Sequence, residues 1–171
     1  KLFIIHSLII HSSTMPHIHI TTFIAAPVER VFDLSRSINL HQVSTVSTGE
    51  KAIAGVLNGL ISLHETVTWQ AKHLFETRQF TSRISAMQSP HFFVDEMVKG
   101  DFINFYHEHH FKAAENGTIL IDKIKFETPY GIFGKIANRL FLISYLKKFL
   151  EKRNAVIKDY AETQKWKAIL M

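Results

Sequence analysis

The chain has no cysteine, which excludes disulfides, thiolate nucleophiles and thiolate metal sites and suits a reducing, cytoplasmic setting. No apolar run reaches the eighteen or so residues of a membrane-spanning helix, so stable membrane insertion is not expected. Glycine and proline are scarce, at 7 and 4 of 171 residues. The glycines form neither a Gly-x-Ser-x-Gly nucleophile elbow nor a loop that would cradle phosphate. Aromatics with a polar handle are few, 4 Tyr and 2 Trp against 14 Phe. Phenylalanine in such excess suits a dense core or the lining of an apolar pocket.

What is present is an ordinary globular balance, 46% hydrophobic and 20% charged, in a length that fits one domain. The formal charge of +5 is uneven: residues 131–171 hold nine Lys/Arg and three Asp/Glu, so residues 1–130 come to −1. Those basic residues point in many directions around the expected C-terminal helix, which marks a solvated face and not a nucleic-acid surface. Lys1 to Thr14 is read as an extension upstream of a natural start at Met15, with a secretory signal as the alternative. Residues 15–164 then form one domain and 165–171 a tail, and no feature fixes an oligomeric state.

Residues 17–24 are rich in β-branched and aromatic types and read as a strand. Pro27 opens a short helix to about Arg36, and Ser37 caps a second one, Ile38 to Val43. An extended piece at Glu50–Ala54 is followed by turns at Gly55 and Gly59. Glu65–Phe75, Arg78–Met87, His91–Lys99, Phe102–Ala113 and Thr118–Thr128 read as strands, separated by Glu76-Thr77, Ser89-Pro90, Gly100-Asp101 and Asn116-Gly117. The last pair predicts a type I′ hairpin with positive φ at both residues. Short separators imply an antiparallel meander. From Phe133 to Tyr160 apolar residues follow a helical repeat through Leu146, Phe149, Leu150, Arg153 and Ile157, long enough to cover the sheet. The fold class is α+β, a curved antiparallel sheet of six or seven strands wrapped on one long helix: the helix-grip arrangement.

Several segments carry a more specific likeness: Thr48-Gly49-Glu50-Lys51-Ala52 with Gly55, Glu65 to His73, Thr81-Ser82-Arg83-Ile84, Phe93 to Met97, Phe105 to Phe111, and Pro129-Tyr130-Gly131. Over about Ile18 to Tyr160 the chain resembles the SRPBCC superfamily, which includes the START and polyketide cyclase/dehydrase-like proteins. It looks most like the cyclase/dehydrase-like ligand-binding group, some of whose members are labelled cell division inhibitors. The resemblance implies a hollow between sheet and helix that holds lipids, polyketides, hormones or similar molecules. It identifies no catalytic set.

Alternation along the strands nominates the lining. Two large Phe residues argue that Phe105, His107, His109 and Phe111 face inward. Val67, Trp69, Ala71 and His73 do the same on the first long strand, as do Leu120, Asp122, Ile124 and Phe126 on the last. On 91–99, Phe93, Asp95 and Met97 compete evenly with Phe92, Val94, Glu96 and Val98. On 78–87, Phe80, Ser82 and Ile84 oppose Thr81, Arg83 and Ser85. The candidate ligand contacts are Trp69, His73, Arg83, Phe93, Glu96, Phe105, His107, His109, Asp122, Phe126 and, at the corner beside Gly131, Phe133.

Imidazoles and a carboxylate among apolar walls need partners. They could orient a ligand's polar head, satisfy one another in a core network, or act as general acid and base. His107 and His109 could also ligate a metal with His73, Asp122 or Glu96, but no metal or other cofactor is expected. The reading that results is a binder or carrier of a small hydrophobic ligand. The alternatives are a polyketide cyclase, aromatase or dehydratase using a cavity His and a carboxylate, and a regulatory interaction protein without ligand.

Overall fold

The computed structural model describes residues 17–73, 76–129 and 141–171. The extension 1–14, the opening of the expected long helix including Phe133, and the side chain of His73 lie outside the described residues. Seven antiparallel strands form one open sheet: β1 (His17–Ile24), β2 (Lys51–Gly55), β3 (Thr66–His73), β4 (Glu76–Gln88), β5 (Phe92–Lys99), β6 (Asn104–Ala114) and β7 (Gly117–Glu127), in the spatial order β1-β7-β6-β5-β4-β3-β2. Helices α1 (Val28–Ser35) and α2 (Ile38–Ser44) follow β1, and the long helix α3 (Ile143–Glu162) follows β7. The Ser37 hydroxyl accepts from the Leu40 N–H at 3.2 Å, the expected cap of α2.

Two turns differ from expectation. Glu76 and Thr77 belong to β4, paired with His73 and Lys72. Ala114 pairs with Gly117, so the hairpin turns through Glu115 and Asn116, and neither has a positive φ. Asn116-Gly117 is therefore not a type I′ pair. Gly117 is required for another reason: a Cβ there would lie 2.2 Å from the Ile24 carbonyl oxygen, where the end of β1 crosses. Gly117→Ala should shift β1 and lower unfolding free energy by more than about 1 kcal/mol. Denaturant unfolding checks this, and an unchanged midpoint would place the clash elsewhere.

Buried residues at helical spacing decide how α3 sits. Leu150, Arg153, Asn154, Ile157 and Ala161 are buried, an i, i+3, i+4, i+7, i+11 stripe along the C-terminal part. This part packs on β1, α1 and α2. Lys147, Lys148, Glu151 and Lys152 are exposed, so part of the basic excess lies on the solvent face. At one end of the sheet α1 serves as a plug, with the Phe32 ring edge-on to Phe93 (5.7 Å) and Phe111 (5.3 Å). Residues 165–171, expected as a tail, instead turn back. Trp166, Ile169 and Leu170 pack against the core, and the Arg30 guanidinium sits 4.5 Å above the Trp166 ring.

Candidate functional site

The plug fills only one end of the space between sheet and helix. Beneath the N-terminal part of α3 lies a cavity of about 360 Å³. Leu142, Leu146 and Phe149 form its roof, while Val67, Trp69 and Ala71 of β3 and Phe105 of β6 supply apolar wall. The size and lining suit a small, mostly apolar molecule. Beside Trp69 the wall is polar. The His41 ring stacks on the indole at 4.1 Å, and its Nε2 lies 2.5 Å from Glu50 Oε2.

The deepest wall is a buried polar network. His107 and His109 stand on alternate positions of β6, their ring centroids 3.8 Å apart. His109 pairs across to Asp122 of β7, which is 0% exposed. Asp122 Oδ1 lies 2.9 Å from His107 Nε2. His109 Nδ1 comes within 3.0 Å of the same oxygen but off the line of a good hydrogen bond. Oδ2 accepts from Asn154 Nδ2 at 2.6 Å. The Arg153 guanidinium is 3.9 Å from Oδ1 and donates to the Ser35 carbonyl at 2.7 Å. It thereby ties α3 to the carbonyl end of α1, where a cation is favoured.

Burial holds the His109 imidazole well below its ordinary 6.5, helped by neighbouring His107 and only partly opposed by Asp122. His109 is therefore neutral at pH 7. Burial alone would raise the Asp122 carboxyl. The hydrogen bond from His107 and the contact with His109 outweigh it, and Asp122 lies well below its ordinary 3.8. Burial also lowers Arg153, against the pull of Asp122, Asp95 and Glu50, yet a guanidinium keeps its charge. Asp122 and Arg153 thus form a desolvated ion pair.

The structure brings Trp69, Phe93, Phe105, His107 and His109 to the cavity. Asp122 stands behind the two imidazoles and holds them. Phe126 faces inward but is core, packed with Ile18, Ile20 and Leu150. Two candidates are corrected. On β4 the inner face is Phe80, Ser82 and Ile84, which leaves Arg83 exposed on the other side. On β5 the inner residues are Phe93 and Asp95. Glu96 is paired with Tyr106 on the outer face, where its charge, after burial and Glu108, helps raise the tyrosine. Arg153, Asn154, Ser82, Asp95 and Glu50 were not among the candidates. Arg153 had a signal, a cation at a core position of the helical stripe.

Among the described residues, His107, His109 and Asp122 are the group whose ligand atoms lie close enough together to hold a metal. The guanidinium 3.9 Å from the shared carboxylate oxygen opposes a divalent cation there by direct charge repulsion. The donors suit an imidazole–carboxylate network better than a metal centre.

No protein-family model matches the chain, and no curated protein sequence matches it. Solved structures do. A protein from Thermus thermophilus superposes with a TM-score of 0.66 at 16% identity, over 83% of this chain and 97% of its own. The ginseng major latex-like protein 151 from Panax ginseng gives 0.65 at 13%, over 87% and 99%. A START superfamily protein from Mycobacterium smegmatis gives 0.64 at 13%, over 85% and 97%. At these identities the likeness is one of fold. The chain has the helix-grip fold of these structures, one of which is a START superfamily protein. Among the described residues no helix is long and apolar enough to cross a membrane.

Proposed function

We propose that the protein binds or carries a small, largely hydrophobic molecule in the cavity beneath α3. One observation supports this above the rest: among the described residues a space of about 360 Å³ stays open between Leu146 and Phe149 above and Trp69 and Phe105 around it. Apolar surface left uncovered in this way gains free energy when a guest displaces its water.

A second reading, general acid–base catalysis on the bound molecule, is favoured by His107. It lines the cavity while a buried carboxylate holds its Nε2, which is how a base is oriented.

A screen of lipid- and polyketide-like compounds by thermal shift tests binding. At a hundredfold excess over Kd a guest should stabilise by about 2.7 kcal/mol, or roughly 5–10 °C. Ala71→Trp, which places an indole in the cavity, should abolish the shift. No shift with any compound, or an equal one in Ala71→Trp, would end the binding reading. Mass spectrometry of the recovered guest separates the two readings: unchanged mass supports holding, and a converted product supports catalysis.

A further inference from the structure

The cavity has an acceptor-rich corner that the described protein groups leave unsatisfied. Ser82 is 1% exposed, and among the described residues its hydroxyl has no hydrogen-bond partner; Asp95 Oδ1 is likewise buried without one among them. Both line the cavity from adjacent strands. Ile84 pairs with Asp95, so Ser82 stands one inward position further along β4. Asp95 in turn pairs with His107, which places this corner next to the buried network. A buried carboxylate oxygen and hydroxyl with nothing to bond are rare in folded proteins, and within a ligand cavity they are where a guest's polar atoms belong.

The sign of the charge narrows the guest. Asp95 and Glu50 line this end of the cavity with Asp122 behind it, and each lining guanidinium is already engaged: Arg153 by Ser35, Asn154 and Asp122, Arg36 by Asp33, and Arg78 by Glu76 and Asp101. His109 is neutral at pH 7 and adds no positive charge. A carboxylate or phosphate head would meet Asp95 as a like charge in a medium of low dielectric. A neutral O–H can donate to Asp95 Oδ1 and accept from the Ser82 hydroxyl at once.

We propose that the cavity selects a guest whose apolar body ends in a hydroxyl, an alcohol or phenol, held between Asp95 and Ser82, and that it rejects the corresponding acid. This rests on the cavity-binding reading above and specifies its ligand.

Calorimetric titration with three compounds on one frame tests it: phenanthrene, 9-phenanthrol and phenanthrene-9-carboxylate, at pH 7.5. Wild-type protein should bind the phenol about tenfold or more tightly than the hydrocarbon, as a hydrogen bond to a charged group supplies, and the carboxylate more weakly than either. Ser82→Ala, a small change at a strand position, should reduce the phenol's advantage while the hydrocarbon's affinity holds. Asp95→Asn should reduce it too and relieve the discrimination against the acid. If the phenol and hydrocarbon bind equally, or the carboxylate binds best, the hydroxyl assignment is wrong and the cavity reading stands. If none of the three binds, the cavity reading falls and this inference with it. Equal phenol preference in both variants and wild type would place the head group elsewhere.

Discussion

Asp122→Ala is expected to cost about 3–5 kcal/mol of folding stability, the loss that follows when one partner of a buried ion pair is removed. The carboxylate faces His107, His109, Asn154 and Arg153 together, and without it the Arg153 charge is left buried. The mechanism predicts a rescue. Replacing both charges, Asp122→Leu with Arg153→Met, should recover much of the loss, because the penalty belongs to the unpaired ion and not to the lost contact. Urea titrations of wild type, both single variants and the double variant measure it. Additive losses in the double variant would mean that the two groups act independently.

Stability should also fall with acid from near neutrality. The folded His109 titrates well below 6.5, so beneath that pH the unfolded chain takes up a proton that the folded chain refuses. Each such proton gives a slope of at most about 1.4 kcal/mol per pH unit, and the loss begins at about pH 6.5. Asp122 acts in a lower window. Its folded value is depressed below 3.8, so its contribution is complete above that pH and disappears as pH falls through the folded value. Unfolding free energies at pH 7.5, 6 and 5 should decline, and His109→Gln should flatten the decline over that range. A flat wild-type profile would show that the ring is hydrated.

Which of these groups could be read from sequence depended on how unequal a strand's two faces are. On β6 the inward set has Phe105 and Phe111 against Tyr106, Glu108 and His110, and on β7 Leu120, Ile124 and Phe126 oppose Ile121, Lys123 and Lys125; alternation therefore placed His107, His109 and Asp122 correctly on the inner face. On β5, Phe92 with Val94 balances Phe93 with Met97, and on β4 Thr81 and Ser85 are as plausible inside as Ser82. Periodicity cannot choose between such faces; the pairing of Ile84 with Asp95 and of Asp95 with His107 does. Arg83 and Glu96 were misplaced for this reason. Arg153 and Asn154 reach Asp122 from far along the chain, Asn154 across 32 residues, a closure that only the docking of α3 creates. The hairpin expected at Asn116-Gly117 turns one residue earlier, through Glu115 and Asn116, and the glycine answers to the neighbouring strand and not to the turn.

In the proposed binding reading, the division of α3 into a packed C-terminal stripe and a half-buried N-terminal roof would assign the discrimination of size and of polarity to different residues. Leu146 and Phe149 can be enlarged or trimmed to change the volume accepted without disturbing Ser82, Asp95 or the anchored stretch from Arg153 onward. The proposed head-group contacts could in turn be altered from the strands while the ceiling keeps its shape. The pocket is therefore tunable along two independent axes.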